Sequence, residues 1–323
     1  MRCSFCNASA IISLRYAKLR LCPEHLSSYL ERKVLRTINR YGLIKRNDKV
    51  LIAVSGGKDS ATLAHILYRL KDHLGIKLVG MHINLGIGEY SIKLERASRE
   101  LFERLAIPYV ILSLKDIADV TLPDIVRMAR RAACSVCGLI KRYLMNITAY
   151  MLNANKLATG HVLEDIVQFI IKEFLTADFD RLSKLKPLLE GTPDGRLVTK
   201  IRPLYEVREK ESLTYAIVNN LPFVYDTCPL IDERMMVFKI RRLIDNLELE
   251  HPGLSIYFLR KYNSSFIKYL ENLGMNKTKF STCNICGMPS TSHTCGFCRL
   301  ILRIGKDPLD VLARVRSQIE TMT

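Results

Sequence analysis

Residues Asp48-Lys49-Val50-Leu51-Ile52-Ala53-Val54-Ser55-Gly56-Gly57-Lys58-Asp59-Ser60 run from an apolar strand straight into a glycine turn, and a helical pattern follows from Ala61 to Leu70. Paired glycines let the backbone turn tightly and bring its N–H groups close to an anion. The helix N-terminus behind them adds partial positive charge. Lys58 can pair with a phosphate oxygen, and Ser55 and Ser60 can donate their hydroxyls to one. Asp59 fits a helix cap or a magnesium ligand better than a phosphate contact. The Walker spacing G-x-x-x-x-G-K-S/T is absent, so this is an anion loop of another kind.

Outward from the loop, apolar strand candidates recur at 50–54, 77–83, 108–114 and 156–160. Helical patterns separate them at 59–72, 91–105 and 138–154. This alternation predicts an α/β fold, a doubly wound parallel sheet with helices on both faces. In such a sheet ligands lie beyond the carboxyl ends of the strands. Ser55, His82, Ser113, Gly160 and His161 all fall there. Cys134-x-x-Cys137 does too, opening the next helix, whose N-terminus is expected to lower the thiol pKa values. Lys184 to Arg202, with Gly191-Thr192-Pro193-Asp194-Gly195 inside it, reads as an exposed loop.

Lys and Arg number 49 against 32 acidic residues, a formal net charge of +17. Thiolate metal sites of the kind argued next would bring this to about +13. A polyanionic partner is the natural reading. No segment reaches the ~18 uninterrupted apolar residues of a membrane span. Met1-Arg2-Cys3-Ser4-Phe5-Cys6 lacks the apolar run of a signal peptide. A soluble, cytoplasmic protein with no membrane partner is expected.

The ten cysteines fall into three groups. Cys3-x-x-Cys6 with Cys22-x-x-His25 offers two knuckles that can wrap a tetrahedral zinc ion, with a small hairpin over 11–21 between them. Cys283-x-x-Cys286 with Cys295-x-x-Cys298 is a four-thiolate zinc ribbon, and His293 between its knuckles is a spare donor. Both zinc ions are expected to be independent of the third group. That group is Cys134, Cys137 and the distant Cys228, one thiolate short of a closed structural site. It suits an iron–sulfur cluster with one open iron, persulfide chemistry, or a thioredoxin-like pair beside a core cysteine.

Ser55 to Ser60 spells Ser-Gly-Gly-Lys-Asp-Ser, which resembles the PP-loop signature of ATP pyrophosphatases, enzymes that cleave ATP between its α- and β-phosphates. His82-Ile-Asn-Leu-Gly-Ile-Gly-Glu-Tyr-Ser91 follows, then Cys134-Ser-Val-Cys137-Gly-Leu-Ile-Lys141-Arg-Tyr143. Gly160-His161-Val162-Leu-Glu-Asp165, Cys228-Pro229 and both pairs of zinc knuckles complete the set. In this order, over nearly the whole chain, they resemble the TtuA type of tRNA 2-thiolation enzyme, within the PP-loop tRNA thiolases.

The resemblance implies that ATP, with Mg2+, adenylates the C2 oxygen of a uridine and that sulfur then replaces it. The sulfur would come from the thiocarboxylate of a ubiquitin-like carrier protein by way of a 4Fe–4S cluster on Cys134, Cys137 and Cys228. It also implies nucleotide contacts at Ala53, Ser55, Gly56, Gly57, Lys58, Asp59, Ser60, His82, Gly160 and His161. Lys141, one turn after Cys137 on the same helix face, would stabilise the oxyanion or adenylate. Asp165 would bind magnesium or act as a base. Val162 departs from the family, which usually carries Asn there. The Gly86–Ser91 stretch favours the T-loop uridine (position 54) over the wobble uridine (position 34). A different class of reading is a non-catalytic zinc-ribbon RNA-binding protein.

Arg32, Arg36 and Arg40 recur at i, i+4 and i+8 with Lys33 beside them, and Val34, Leu35 and Ile38 form the other face. Such a row suits a phosphate backbone. Arg127, Arg130 and Arg131 bring positive charge to Cys134, and Arg299, Arg303, Arg314 and Arg316 extend it in the tail. The expected organisation is a zinc finger over 1–28, a basic helical linker over 29–47, a PP-loop domain over 48–275 and a zinc ribbon over 276–323. A homodimer is an open expectation.

Overall fold

The structure is a computed structural model and describes residues 1–272 and 280–321. The expected boundary between residues 275 and 276 lies outside the described residues. A hairpin, β1 (Ile12–Leu14) and β2 (Leu19–Leu21), leads into α1 (Pro23–Tyr41). The alternating core follows as β3 (Lys49–Ala53), α2 (Lys58–Leu74), β4 (Lys77–Asn84), α3 (Gly88–Arg104) and β5 (Tyr109–Ser113). Two short helices, α4 (Leu114–Ala118) and α5 (Leu122–Ala129), precede α6 (Ala133–Met151) and β6 (Lys156–Thr159). Then come α7 (Leu163–Leu175), α8 (Phe179–Leu182), β7 (Leu188–Leu189), β8 (Thr199–Ile201) and α9 (Glu209–Val218). Helices α10 (Met236–Glu250), α11 (Leu254–Lys261) and α12 (Ile267–Asn272) follow. The C-terminal module has β9 (Ser281–Thr282), β10 (Pro289–Ser290), α13 (Gly296–Arg303) and α14 (Pro308–Glu320).

The six-stranded sheet has the order β5-β4-β3-β6-β8-β7, parallel except for β7. Its strands alternate as a sheet covered on both faces requires. Val50 and Ile52 pack into a core with α1, α2 and α9, while Leu51 faces the opposite core with α5, α6, α13 and α14. A Cβ at Gly80 would meet the Phe102 ring at 2.3 Å, so glycine there lets α3 lie close to β4. The stretch over 184–202 is not a free loop. Its two ends pair as β7 and β8, and Val198 and Ile201 are buried, so burial of these apolar residues overrides the turn chemistry of the Gly191–Gly195 tip.

Strand β3 has β4 on one side and β6 on the other, so the chain crosses in opposite directions from it. The crevice at that reversal is where open α/β sheets bind ligands. It is flanked by the Ser55–Ser60 loop after β3 and by Gly160-His161 after β6. A third helical cluster, α7 with α10 and α11, has its own core around Leu163, Ile166, Ile240, Leu259 and the buried Tyr205. Among the described residues no helix is long and apolar enough to cross a membrane.

Candidate active site between the glycine loop and the cysteine cavity

Gly56 sits at φ +84°, and a Cβ there would meet the Leu94 backbone at 2.6 Å. No other residue type fits both constraints. Ser60 ties the loop: its hydroxyl accepts from the Ser55 amide at 3.0 Å and donates to the Gly57 carbonyl at 2.9 Å. Helix α2 has no side-chain N-cap, which leaves its first amides free for an anion. Gly160 lies against this turn, 3.0 Å from the Ser60 backbone when a Cβ is placed on it.

A cavity of about 430 Å³ opens here, lined by Ala53, Ser55, Gly57, Asp59, Ser60, Met81, Gly138, Lys141, Arg142, Gly160, His161, Asp165 and Lys200. Its two carboxylates stand out. Burial raises the pKa of Asp59, and Oδ1 of that residue has no hydrogen-bond partner among the described residues. Asp165 is pushed up to about 7 by burial and by the charge of Asp59. Paired acids that repel each other, one oxygen orphaned, fit a divalent cation. Lys58 is held at 2.7 Å by Glu209 and at 3.0 Å by Asp59, so a phosphate must compete with two carboxylates for it. His161 accepts from or donates to Thr159 Oγ1 at 2.9 Å, and burial holds its pKa well below the usual value. Val162 is buried and has no acceptor, so only the Asp165 half of a capping box is made, Oδ2 accepting the Val162 amide at 3.2 Å.

A second cavity, about 410 Å³, gathers Cys134, Cys137 and Cys228 and shares Ser55, Gly57, Ile83, Gly138 and Lys141 with the first. Lys141 therefore stands in the wall between them, and among the described residues no hydrogen bond or ion pair engages its amine. Helix α6 makes this possible with two stripes. Val136, Ile140, Leu144 and Ile147 are buried in the core, each contributing roughly 1.5–3 kcal/mol. Cys137, Lys141 and Met145 form the neighbouring stripe toward the cavities. Cys228 arrives by a loop, because the Val224 amide donates to the Gly56 carbonyl at 2.9 Å and Asp226 pairs with Lys93 at 2.8 Å.

Three thiolates without a closed tetrahedron fit a cubane cluster, whose ligands bind different irons and stand wider apart than ligands of one ion. The Cys137 thiol departs from expectation. Burial pushes its pKa up and outweighs the opposing charge of Lys141. His82 lies with the cysteines rather than in the nucleotide cavity. Its Nδ1 is 2.9 Å from the Val54 carbonyl and 2.9 Å from Ser98 Oγ, Nε2 has no partner among the described residues, and burial holds it down to about 4.

Cys3, Cys6, Cys22 and His25 form one set whose ligand atoms all lie within 4.8 Å of one another, and Cys283, Cys286, Cys295 and Cys298 form another. These spacings fit a tetrahedral zinc ion. His293 is outside the second set. That set packs directly on α6, the helix that carries Cys134 and Cys137. Tyr143 on α6 stacks flat on Phe297, with centroids 3.9 Å apart and planes at 3°. Leu139 lies 3.1 Å from a Cβ placed on Gly296.

Arg32, Arg36 and Arg40 all project from the exposed face of α1, but Arg40 is spent on Glu206 at 2.6 Å. Lys33 leaves the basic row altogether: it is buried and pairs with Glu211 at 2.7 Å. Arg130 and Arg131 are exposed just before α6, and Arg131 donates to Ser135 at 3.2 Å. Arg142 and Lys200 line the nucleotide cavity without having been singled out in the sequence. Lys200 sits in the stretch read as a loop, and Arg142 is masked by its neighbour Lys141.

A PP-loop domain model matches residues 26–237, and the model of the N-terminal LIM domain of the 2-thiouridine synthetase TtuA matches residues 2–27. The chain belongs to the TtuA type of PP-loop tRNA thiolases. A tRNA-5-methyluridine(54) 2-sulfurtransferase of Pyrococcus horikoshii is 36% identical, covering 93% of each chain. The protein of that name from Thermus thermophilus is 31% identical over 93% of this TtuA-type chain and 91% of its own. The U34-tRNA thiolase NcsA of Methanococcus maripaludis, solved with its 4Fe–4S cluster, superposes with a TM-score of 0.76 at 28% identity, covering 93% of this chain and 95% of that one.

Proposed function

We propose that this TtuA-type chain is an ATP-dependent tRNA uridine 2-sulfurtransferase acting on the T-loop uridine at position 54. The observation that carries the reading is Lys141 standing between a cavity built for a nucleotide and a cavity holding three unpaired cysteines. In the first half-reaction the uridine C2 oxygen attacks the α-phosphorus of ATP, the N3 proton is lost and pyrophosphate leaves. The loop amides, with Lys58 exchanged from Glu209, hold the departing phosphates. Asp59 and Asp165 would hold Mg2+, which supplies charge neutralisation for those phosphates. In the second half-reaction a sulfur nucleophile attacks C2 and AMP departs with the original oxygen. Lys141 reaches both sites and stabilises the negative charge that passes from C2 to the leaving phosphate.

A 4Fe–4S cluster held by Cys134, Cys137 and Cys228 would supply an open iron for the incoming sulfur. The two cysteine sets at the ends of the chain would hold zinc. The sulfur donor we favour is a ubiquitin-like thiocarboxylate carrier, and the setting is the cytoplasm. The likeness to a U34 thiolase supports a second reading, in which the wobble uridine is the target.

Anaerobically purified protein should be incubated with ATP, a sulfur source and unmodified tRNA, and the product digested and mapped by mass spectrometry. The expected result is 2-thiouridine at position 54 with one AMP per sulfur, lost in Lys141→Ala. Sulfur at position 34 selects the second reading. Bound tRNA with no AMP and no sulfur would mark a non-catalytic RNA-binding protein.

A further inference from the structure

A third cavity runs along α6 on the side of β8 and α7. At about 920 Å³ it is roomier than either of the two cavities described above. It shares Arg142, Met145, His161 and Lys200 with the nucleotide cavity, and Ala133, Cys134 and Leu230 with the cysteine cavity. A base that must meet ATP and then sulfur needs an entrance opening on both. We propose that this groove receives the target nucleotide of the tRNA, with Arg142 and Lys200 holding its backbone phosphate. The proposal rests on the thiolase reading.

The charge in the groove is distributed unevenly. Along the rim Lys172 is paired with Glu173 at 2.8 Å, Lys184 with Asp180 at 2.8 Å and Arg181 with Asp178 at 3.2 Å. At the junction of the cavities, Arg142 and Lys200 have no hydrogen bond or ion pair among the described residues. Burial, with Arg202 and Arg142 beside it, holds Lys200 down to about 7. Burial and Arg181 depress Arg142 as well. Enclosed cations without a counter-charge cost stability until an anion arrives. The ATP phosphates already have the loop amides and Lys58, so the unclaimed anion is that of the RNA. Phe169, Leu189 and Leu197 give the groove an apolar wall suited to an unstacked base.

The test uses the full chain, anaerobic, as Arg142→Gln, Lys200→Gln and the conservative Lys200→Arg. Each Gln variant should raise the KM for tRNA roughly tenfold. Each should also lower the slope of log affinity against log salt by about 1. ATP affinity of the tRNA-free protein should stay within about twofold of wild type, and Lys200→Arg should restore tRNA binding. Should Lys200→Gln lose zinc or melt early, Arg142→Gln decides. A fall in ATP affinity with tRNA binding intact would assign the pair to the nucleotide's own phosphate and overturn the proposal, as would no change in either. If wild-type protein forms no thiouridine in any tRNA, the thiolase reading has failed first, and the proposal falls with it.

Discussion

Replacing Asp165 by Asn should stabilise the protein free of nucleotide and magnesium, not below about pH 4 but increasingly above it and in full at neutral and alkaline pH. In the unfolded chain this carboxyl titrates near 3.8, whereas burial and Asp59 raise it to about 7 in the folded protein. Between those values unfolding releases a proton, so unfolding becomes easier as pH rises. The penalty is absent below about pH 4, grows through pH 5 and 6, and is complete above about pH 7. Three pKa units correspond to about 4 kcal/mol, a ceiling because the carboxylate opens onto the cavity. Asn keeps the shape and can still accept the Val162 amide. It lacks the charge.

The assay is thermal or urea unfolding of wild type and Asp165→Asn at pH 5, 6, 7 and 8 without added nucleotide or magnesium. The gap between them should widen toward pH 8 to some 2–4 kcal/mol in favour of Asn, while thiolation is lost. Magnesium with ATP should narrow the gap by stabilising wild type alone. A gap that is constant across the series would refute the reasoning, because it would mean that Asp165 does not titrate against Asp59 in the folded state.

Two further predictions concern the modules at the ends. Lys33→Ala leaves Glu211 charged and buried beside Tyr16, and should cost about 3–5 kcal/mol in denaturant unfolding. Lys33→Met with Glu211→Gln should recover most of it, because Gln can still accept from the Arg208 amide or the Tyr16 hydroxyl. Cys298→Ser should release one zinc and, because Phe297 stacks on Tyr143 of α6, also lower the iron bound at Cys134 and Cys137. Iron content equal to wild type would show that α6 holds its place without the ribbon.

The sheet was legible because burial on both faces imposes near-continuous apolar runs, as at 50–54 and 77–83, and because glycine turns follow them. The glycine loop and the two metal quartets were legible because their chemistry is local in sequence. Long-range geometry was not. Nothing around Cys228 announces the Val224–Gly56 hydrogen bond that delivers it. Lys33 looked like part of a basic row because its partner Glu211 lies in another helix, and helical spacing cannot say which cation turns inward. Lys200 was missed because the pairing of β8 with β6 makes a wall of the nucleotide cavity from a stretch dominated by turn residues.

Helix α6 joins the nucleotide loop, the three further cysteines and the C-terminal cysteine quartet. Its N-terminal turn holds Cys134 and Cys137, its next turn sets Lys141 and Arg142 toward the nucleotide cavity, and Tyr143 fixes it to the ribbon. Successive residues on a helix point about 100° apart, so Lys141 and Arg142 can line the cavities while Tyr143 turns to Phe297. The core stripe from Val136 to Ile147 keeps these directions fixed. Because Cys137 and Lys141 share one face of α6, a rotation of the helix would carry both away from the wall between the two cavities. None of the four C-terminal cysteines lines either cavity, so what links that module to the site is its packing on α6 through Phe297 and Tyr143.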